Sequence, residues 1–385
     1  MILLSAIIAT FEADYLAQVG ESILPSQRKA LNAMKTCRTS ASPLMPGQCP
    51  ECDHRQFVPH SCGHRACPHC QHHESQQWLE RQLAKQVPAT YFLLTFTVPE
   101  ALRPLVWANQ QALYDHLIRA SWETVRTFTR NDKALQGEAG AIAVLHTHSR
   151  RLDFHPHVHL VVPAAAIDPD QKRWRTKRGK RGDLFNHKAL AKVFRAKRLE
   201  AIAADGLALP AGAPSTWVVD CKCVGRGEKA LVYRGRYLYR GVIQEKDIVA
   251  CENGQVTFRY RHAKRKRFEY RILPGAQFLA LVLQHVLPKG FRRARNFGFL
   301  HPNNPNSKRA IAVLQWLFGL DPAPLIAKLR PRPPLRCPCC GAEMVIVQTR
   351  IPPRAPPPLI PTREATEATA SNPARPRPSA STSRG

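Results

Sequence analysis

Two histidines separated by a single valine are the residues of this chain best suited to do chemistry. His157 and His159 lead into residues 160–162, an apolar run typical of a strand. Residues i and i+2 of a strand point to the same face, so the two imidazoles would lie side by side while Val158 faces the core. Two imidazoles on a rigid strand form half of a divalent metal site. The motif therefore predicts a metal centre able to polarise a phosphate.

The histidine pair needs at least one further ligand. His146 is the preferred third ligand, because residues 141–147 are typical of the preceding strand and a hairpin would bring the two strands together. His148, His155 and Gln244 are alternatives. Imidazoles with open coordination positions suit Mg²⁺ or Mn²⁺ held partly by a substrate phosphate, whereas imidazole alone prefers a softer ion such as Zn²⁺.

Two tyrosines downstream supply candidate nucleophiles. Tyr233 and Tyr237 stand four residues apart in residues 228–240, a predicted helix, so both would lie on one face. Packing of the two rings into a core is the alternative interpretation. It is weakened by three neighbouring guanidinium groups, which suit phosphates better than a core: Arg234, Arg236 and Arg240. A phenol has a pKa of about 10 and needs nearby positive charge to attack at neutral pH.

Two C-x-x-C pairs in the first quarter of the chain predict a zinc site. Cys49 and Cys52 are followed, after 14 residues, by Cys67 and Cys70. Each pair offers two thiolates on one turn, and two pairs close a tetrahedron around zinc. Four cysteine ligands leave no open position, so this Zn²⁺ would be structural.

Four further cysteines are not assigned to a particular metal site. Cys37 and Cys62 flank the predicted zinc ligands and could replace one of them or supply a second site. Cys337 and Cys340 form a late C-x-x-C with no partner pair nearby in the sequence. This late pair could be half of a zinc knuckle or two unpaired thiols, and we assign it no role.

The charge of the chain favours a polyanionic partner. Its 385 residues include 57 Lys+Arg against 28 Asp+Glu, a formal net charge of +29, so nucleic acid is the expected partner. Two basic clusters contain aromatic residues, Trp174 and Tyr260, and single-stranded nucleic acid is bound by stacking combined with charge. A solvated charged loop is the alternative for the first cluster. The candidate DNA-binding residues here are Lys172, Arg173, Arg175, Lys264 and Arg265.

The sequence gives no reason to expect a membrane partner. No apolar run reaches the roughly 18 residues that a membrane span needs. The apolar N-terminus is short and lacks the basic region of a signal peptide. We expect a cytoplasmic, nucleoid-associated protein.

The elements that must position these residues alternate between strands and helices. The patterns predict strands at 91–98, 141–147, 157–162 and 216–220, and helices at 104–130, 187–204 and 228–240. This order predicts an α+β fold with a central antiparallel sheet and helices on one side.

The expected domain organisation has four parts. Residues 1–87 form a helical, zinc-ribbon-like N-terminal domain, and residues 88–300 form the catalytic domain. Residues 301–350 are a C-terminal segment that contains the late C-x-x-C. Residues 351–385 are rich in Pro and Arg and are expected to be a disordered tail.

The combination of motifs resembles the rolling-circle insertion-sequence transposases of bacteria, the HUH-type family that carries two tyrosines and a His-hydrophobic-His motif. The match extends from about Cys37 to Leu300, and the order and spacing of its motifs agree with the family. The motifs that carry it lie at residues 61–70, 144–147, 155–159, 193–195, 233–237 and 285–291.

The resemblance implies a sheet related to that of replication initiators and relaxases, with His157 and His159 binding the catalytic Mg²⁺ or Mn²⁺. It implies that Tyr233 and Tyr237 are nucleophiles acting on single-stranded DNA at transposon ends and on target DNA. One tyrosine would keep a 5′-phosphotyrosine and free a 3′-OH, and the other would allow a second transfer. The alternatives are a replication initiator or relaxase with the same chemistry, and a non-catalytic zinc-dependent nucleic-acid-binding protein. The oligomeric state stays open.

Overall fold

The computed structural model describes residues 2–168, 170, 173–177, 182–239, 241–262, 265–329 and 334–348. Three predicted DNA contacts, Lys172, Arg240 and Lys264, lie outside the described residues, as does the predicted tail at 351–385. Three further predicted site residues have a described backbone but side chains outside the description: Arg234, Arg236 and Tyr237.

The N-terminal part contains two helices, a β-hairpin and a third helix. These are α1 (Leu4–Val19), α2 (Pro25–Thr36), β1 (Leu44–Gln48), β2 (Arg55–Pro59) and α3 (His72–Leu83). The middle of the chain then alternates strands and helices: β3 (Tyr91–Thr97), α4 (Arg103–Ala108), α5 (Gln110–Asn131), β4 (Glu138–His148), β5 (Phe154–Pro163), β6 (Ala165–Ile167), β7 (Trp174–Thr176), α6 (His187–Ala204), β8 (Val219–Cys223) and α7 (Glu228–Tyr239).

The last third of the described chain adds a small sheet and three helices. Its elements are β9 (Ile248–Glu252), β10 (Gln255–Arg261), β11 (Phe268–Pro274), α8 (Gly275–Leu283), β12 (Ala294–Gly298), α9 (Pro305–Leu317), α10 (Ala323–Ala327) and β13 (Val345–Ile346). Within the described ranges, no helix is long and apolar enough to cross a membrane.

The central sheet is antiparallel throughout, which confirms the predicted fold class. Its strand order is β7-β6-β4-β5-β3-β8, and β12 pairs with β4 beside β6. β4 and β5 form the predicted hairpin, in which His146 lies opposite His157. The pairing shifts by a bulge between His146 and His148, where the hairpin turn begins.

Helices cover both faces of this sheet, whereas the sequence analysis expected them on one side. On one face, Leu145, Val158 and Leu160 pack in a large core with residues of α5 and α6, as the sequence predicted. On the other face, Val144 and Val161 pack with residues of α3 and α7. The sequences of β4 and β5 explain why helices cover the second face. Both strands have apolar residues at consecutive positions, so both of their faces are buried.

A second core joins the start of the chain to its later part. Ile7 of α1 and Leu31 of α2 pack with Phe278 of α8 and with Phe258 of the three-stranded sheet β11-β10-β9. Cys67 and two neighbouring cysteines belong to this same core. The N-terminal zinc region is therefore fixed against residues that follow it by about two hundred positions.

Candidate metal centre and tyrosine helix

Three histidines from two adjacent strands meet on one face of the central sheet. The ligand nitrogens of His146, His157 and His159 all lie within 4.8 Å of one another. The ring centroids are 5.1 Å apart for His146 and His157, and 4.5 Å apart for His146 and His159. The structure thus brings together the pair and the third residue that the hairpin argument favoured.

Hydrogen bonds orient two of the three rings. His157 Nδ1 lies 2.7 Å from the carbonyl oxygen of His155, so an Nδ1–H donates there and fixes the orientation of the ring. His159 Nδ1 lies 3.0 Å from Oγ1 of Thr95, which is directly opposite it on β3. The sequence analysis missed Thr95, although a threonine in an otherwise apolar strand is a visible signal.

Two alternative ligands face elsewhere. His148 lies beyond the bulge and packs against His285, with ring centroids 5.2 Å apart. Burial lowers the pKa of His148 to about 4, so this imidazole is neutral at physiological pH. Arg103 Nη2 donates to His155 Nδ1 over 2.9 Å. Neither side chain belongs to the three-histidine group.

The three histidines fit a divalent ion. Nitrogens bound at about 2.1 Å to one ion are roughly 3–3.5 Å apart, so small side-chain rotations within the 4.8 Å group suffice. His146 and His159 are buried, while His157 is half-buried and marks the open side. Three neutral imidazoles bring no negative charge, so an ion held by them keeps its charge for a phosphate. Such a donor set accepts Mn²⁺ more readily than Mg²⁺.

The tyrosine helix packs on the sheet face that carries the histidines. Val144 and Val161 share that face with His146 and His159 because alternate residues of a strand point the same way. Both valines pack in one core with Leu231 of α7. The helix that carries the tyrosines therefore lies over the same side of the sheet as the metal centre.

Gly235 sets the distance between α7 and α3. A Cβ placed on Gly235 would lie 2.4 Å from Leu79 Cδ2 and 2.9 Å from Trp78 Cζ3. Tyr233, two residues from both Leu231 and Gly235, is 56% exposed. Tyr233 is thus not a core residue, which removes the alternative interpretation for its ring.

The described members of the two basic clusters differ in their availability. Arg173 is exposed. Arg175 Nη2 is held 2.8 Å from Asp168 Oδ2, and Arg265 Nη1 lies 3.2 Å from Glu269 Oε1. Ion pairs therefore occupy two of the five candidate phosphate contacts.

The predicted zinc ligands fall into two groups rather than one, which corrects the sequence analysis. Cys67 and Cys70 meet Cys37 and Cys62, whereas Cys49 and Cys52 lie in a separate group. Sulfur distances in the first group are 3.2 Å from Cys37 to Cys70, 3.6 Å from Cys67 to Cys37 and 3.7 Å from Cys62 to Cys70. These approach the edges of about 3.8 Å expected around zinc at 2.3 Å from each sulfur.

The position of α2 explains the correction. The buried side of α2, which includes Leu31 and Met34, packs in the second core. Cys37 follows the last residue of this helix and lies in the same core as Cys67. Cys49 instead begins the turn between β1 and β2, away from this core. Spacing along the chain gives no information on which pairs meet.

Two regions of the chain match models of known protein families. Residues 7–98 match the transposase zinc-binding domain, and residues 140–308 match a model described as a putative transposase. The putative transposase y4qJ of Sinorhizobium fredii is 34% identical in an alignment of 345 positions that covers 81% of this chain and 85% of that protein. The chain belongs to the rolling-circle insertion-sequence transposases with an N-terminal zinc-binding domain.

Other relatives of the transposase are more distant. The transposase for insertion sequence element IS801 of Pseudomonas savastanoi pv. phaseolicola is 29% identical in an alignment of 318 positions. That alignment covers 76% of this chain and 76% of the relative. Among solved structures, the metal-free conjugative relaxase TrwC in complex with oriT DNA is 13% identical and has a TM-score of 0.24. That match covers 60% of this chain and 72% of the relaxase chain. Family membership rests on the sequence relatives and not on this structural likeness.

Proposed function

We propose that this transposase cuts and rejoins single-stranded DNA at the ends of its insertion sequence, in the bacterial nucleoid, through covalent tyrosine–DNA intermediates. The observation that carries the proposal is the shared sheet face. It holds the imidazoles of His146, His157 and His159 and also supports α7, the helix of Tyr233 and Tyr237.

The three histidines would hold Mg²⁺ or Mn²⁺. When bound, such an ion supplies positive charge that polarises the scissile phosphate. Thr95 and the carbonyl of His155 keep the rings of His159 and His157 oriented. The buried rings restrict the approach of a phosphate to the open side at His157.

A tyrosine of α7 performs the bond exchange. Its phenolic oxygen forms a bond to phosphorus as the bond from phosphorus to the 3′ oxygen breaks. The 5′ phosphate stays on the tyrosine, and the 3′ oxygen takes up a proton while the phenol loses one. The ester conserves the energy of the phosphodiester, so a 3′-OH of a second strand can reverse the reaction and join the two strands without ATP.

Two tyrosines one helical turn apart allow two such exchanges in sequence. The first tyrosine holds the cleaved end while the second attacks another phosphate, so neither strand is released. The arginines of α7 are the nearest candidates in the sequence for stabilising the negative charge of the transferred phosphate: Arg234, Arg236 and Arg240.

An oligonucleotide assay tests the proposal. Labelled single strands that span the ends of the element are incubated with Mn²⁺ or Mg²⁺ and separated on a denaturing gel. We expect a shortened strand with a 3′-OH, a protein-linked fragment and a rejoined product. The double variant Tyr233→Phe/Tyr237→Phe should form none of them, whereas the control Tyr270→Phe, an exposed tyrosine of β11, should behave as the unchanged protein.

The assay also separates the alternatives. Tight binding of the strands with no cleavage in any metal would favour a non-catalytic nucleic-acid-binding protein. Cleavage of duplex DNA with equal rates in the double tyrosine variant would contradict the proposed chemistry.

A further inference from the structure

The β1–β2 hairpin and the last described segment of the chain meet at four cysteines. Cys337 and Cys340 lie beside Cys49 and Cys52, and the sulfur atoms of all four are within 4.8 Å of one another. The sulfur of Cys49 is 3.5 Å from that of Cys340, and the sulfur of Cys52 is 3.6 Å from that of Cys337. The late C-x-x-C therefore has a partner pair after all, 285 residues earlier in the chain.

The two pairs are held by identical backbone turns. In the first, the amide of Cys49 donates to the carbonyl of His54 and the amide of Asp53 donates to the carbonyl of Cys49. In the second, the amide of Cys337 donates to Ala342 and the amide of Gly341 donates to Cys337. Asp53 and Gly341 occupy equivalent positions and both have a positive φ, of 55° and 76°. Two matching turns present their sulfurs to a common point.

The sulfur arrangement suits zinc. All four are free thiols, so no disulfide accounts for their proximity. Their distances of 3.5 and 3.6 Å lie close to the edge of about 3.8 Å in a tetrahedron with zinc–sulfur bonds of 2.3 Å. Soft thiolates favour Zn²⁺ over oxygen-preferring ions, and four of them leave no position for a substrate.

The surrounding contacts are too few to hold the late segment by themselves. β13 is two residues long and pairs with β1 through Gly47 and Gln48. The buried part of the local core consists of Cys49, Cys337 and Met344. A core of three buried side chains is far below what a small independent unit needs, and such units usually depend on a metal or a disulfide.

We propose that Cys49, Cys52, Cys337 and Cys340 bind a second Zn²⁺, separate from the ion of the first cysteine group, and that this ion fastens residues 334–348 onto the β1–β2 hairpin. The ribbon-like sheet β13-β1-β2 is then completed only by the C-terminal segment. The proposal does not depend on the catalytic chemistry proposed above.

Metal counting on the full chain tests the second site. The histidine centre could also take up Zn²⁺, so every protein in this test carries His157→Ala/His159→Ala. Native mass spectrometry or elemental analysis should then give two zinc ions for the otherwise unchanged protein and one for Cys337→Ser/Cys340→Ser. Cys49→Ser/Cys52→Ser should likewise give one. Cys339→Ser is the matched control, since Cys339 is an exposed thiol of the same turn outside the group, and it should keep two. One zinc ion in the unchanged protein, or two in Cys337→Ser/Cys340→Ser, would overturn the proposal.

Alkylation of the unchanged protein gives an answer even where the variants fail to fold. Cys52 and Cys340 are exposed, as are Cys223 and Cys339, so exposure alone predicts fast reaction of all four with iodoacetamide. We expect Cys52 and Cys340 to react at least tenfold more slowly than the other two until a strong chelator is added. Equal rates before chelation would contradict a bound metal ion.

Discussion

Hydrogen bonds hold two rings of the histidine centre, and burial restricts the third. His157 donates to the carbonyl of His155, His159 lies against Thr95 and His146 is buried at 3% exposure. The two hydrogen-bonded rings are thus oriented by groups outside the candidate donor set. Such supporting contacts commonly change metal affinity by 10–100-fold.

Replacing Thr95 should weaken metal binding without removing a ligand. In Thr95→Val, His159 loses the partner of its Nδ1, so we expect the Mn²⁺ concentration for half-maximal cleavage to rise by about 10-fold or more, with activity recovered at high Mn²⁺. His157→Ala should lose cleavage at every metal concentration. Thr257→Val, in the second sheet, is the control. An unchanged metal requirement in Thr95→Val would show that Thr95 has no positioning role.

Arg198 illustrates the opposite case, a buried charge without support. It lies within α6 at 0% exposure, and its guanidinium has no hydrogen-bond partner among the residues that the structure describes. Burial lowers the pKa of Arg198 to about 9, below its ordinary value of 12.5. Between these two pH values the unfolded chain binds more protons, so stability rises with pH there and is reduced by the buried charge at neutral pH.

We therefore expect Arg198→Met to raise the free energy of unfolding at pH 7.5 by about 1–3 kcal/mol, since replacing an unsupported buried charge by an apolar side chain is often stabilising. Urea denaturation measures the change. Lys192→Met, an exposed position on the same helix, should change it by less than about 0.5 kcal/mol. A loss of stability in Arg198→Met would mean that the guanidinium has a stabilising partner.

At the scale of elements, the close approach of α7 to α3 positions the tyrosines. Gly235 allows that approach because an added Cβ would lie 2.4 Å from Leu79 Cδ2. Gly235→Ala should displace α7 and reduce cleavage at least several-fold, with a loss of stability of about 1–3 kcal/mol from overpacking. Metal affinity should be unchanged, because no histidine of the centre lies on α7.

A second substitution separates crowding from other effects of the change at Gly235. Leu79→Ala removes the side chain that the new methyl group meets, so the double variant should be more active than Gly235→Ala alone. Additive losses in the double variant would show that the contact between the two helices does not set the position of the tyrosines.

Local patterns predicted most of these elements. The helix expected at 187–204 has the same bounds as α6, and the strand expected at 157–162 lies inside β5. Both carry the signal in their own residues, as continuous apolar runs or helical periodicity. β13 has no such signal, because two residues define a strand only through their partner, β1. The predicted grouping of the four zinc-binding cysteines was wrong for the same reason. Which cysteines share a site depends on tertiary contacts, and spacing along the chain does not encode them.

At the scale of the whole molecule, charge and packing act on different properties. The net charge of +29 favours encounter with DNA and makes binding sensitive to salt. Stability instead depends on two cores that join distant parts of the chain. His285, just after α8, fixes the β4–β5 hairpin turn to the second core, because its Nε2–H donates over 2.9 Å to the carbonyl of Leu152, which is buried in that core.

His285 should make the protein sensitive to acid. Burial lowers its pKa from 6.5 to about 3, so between these pH values the unfolded chain binds more protons and stability falls as the pH falls. His285→Gln keeps a donor for Leu152 but does not titrate. We expect the free energy of unfolding of the unchanged protein to fall by about 2–3 kcal/mol more than that of His285→Gln between pH 7 and pH 4.5.

A substitution that removes no titrating group provides the comparison for this pH dependence. Thr257→Val, in the second sheet, should follow the unchanged protein at every pH. Parallel curves for His285→Gln and the unchanged protein would place the acid sensitivity elsewhere in the molecule.

The central claim is that the three histidines and the tyrosine helix act on one phosphate. Its most direct measurement is peptide mapping, by mass spectrometry, of the protein after reaction with a single-stranded end oligonucleotide and Mn²⁺. We expect a nucleotide esterified to Tyr233 or Tyr237, and no adduct in His157→Ala/His159→Ala or in the presence of a chelator. An adduct on any other residue, or one that forms equally without metal, would contradict it.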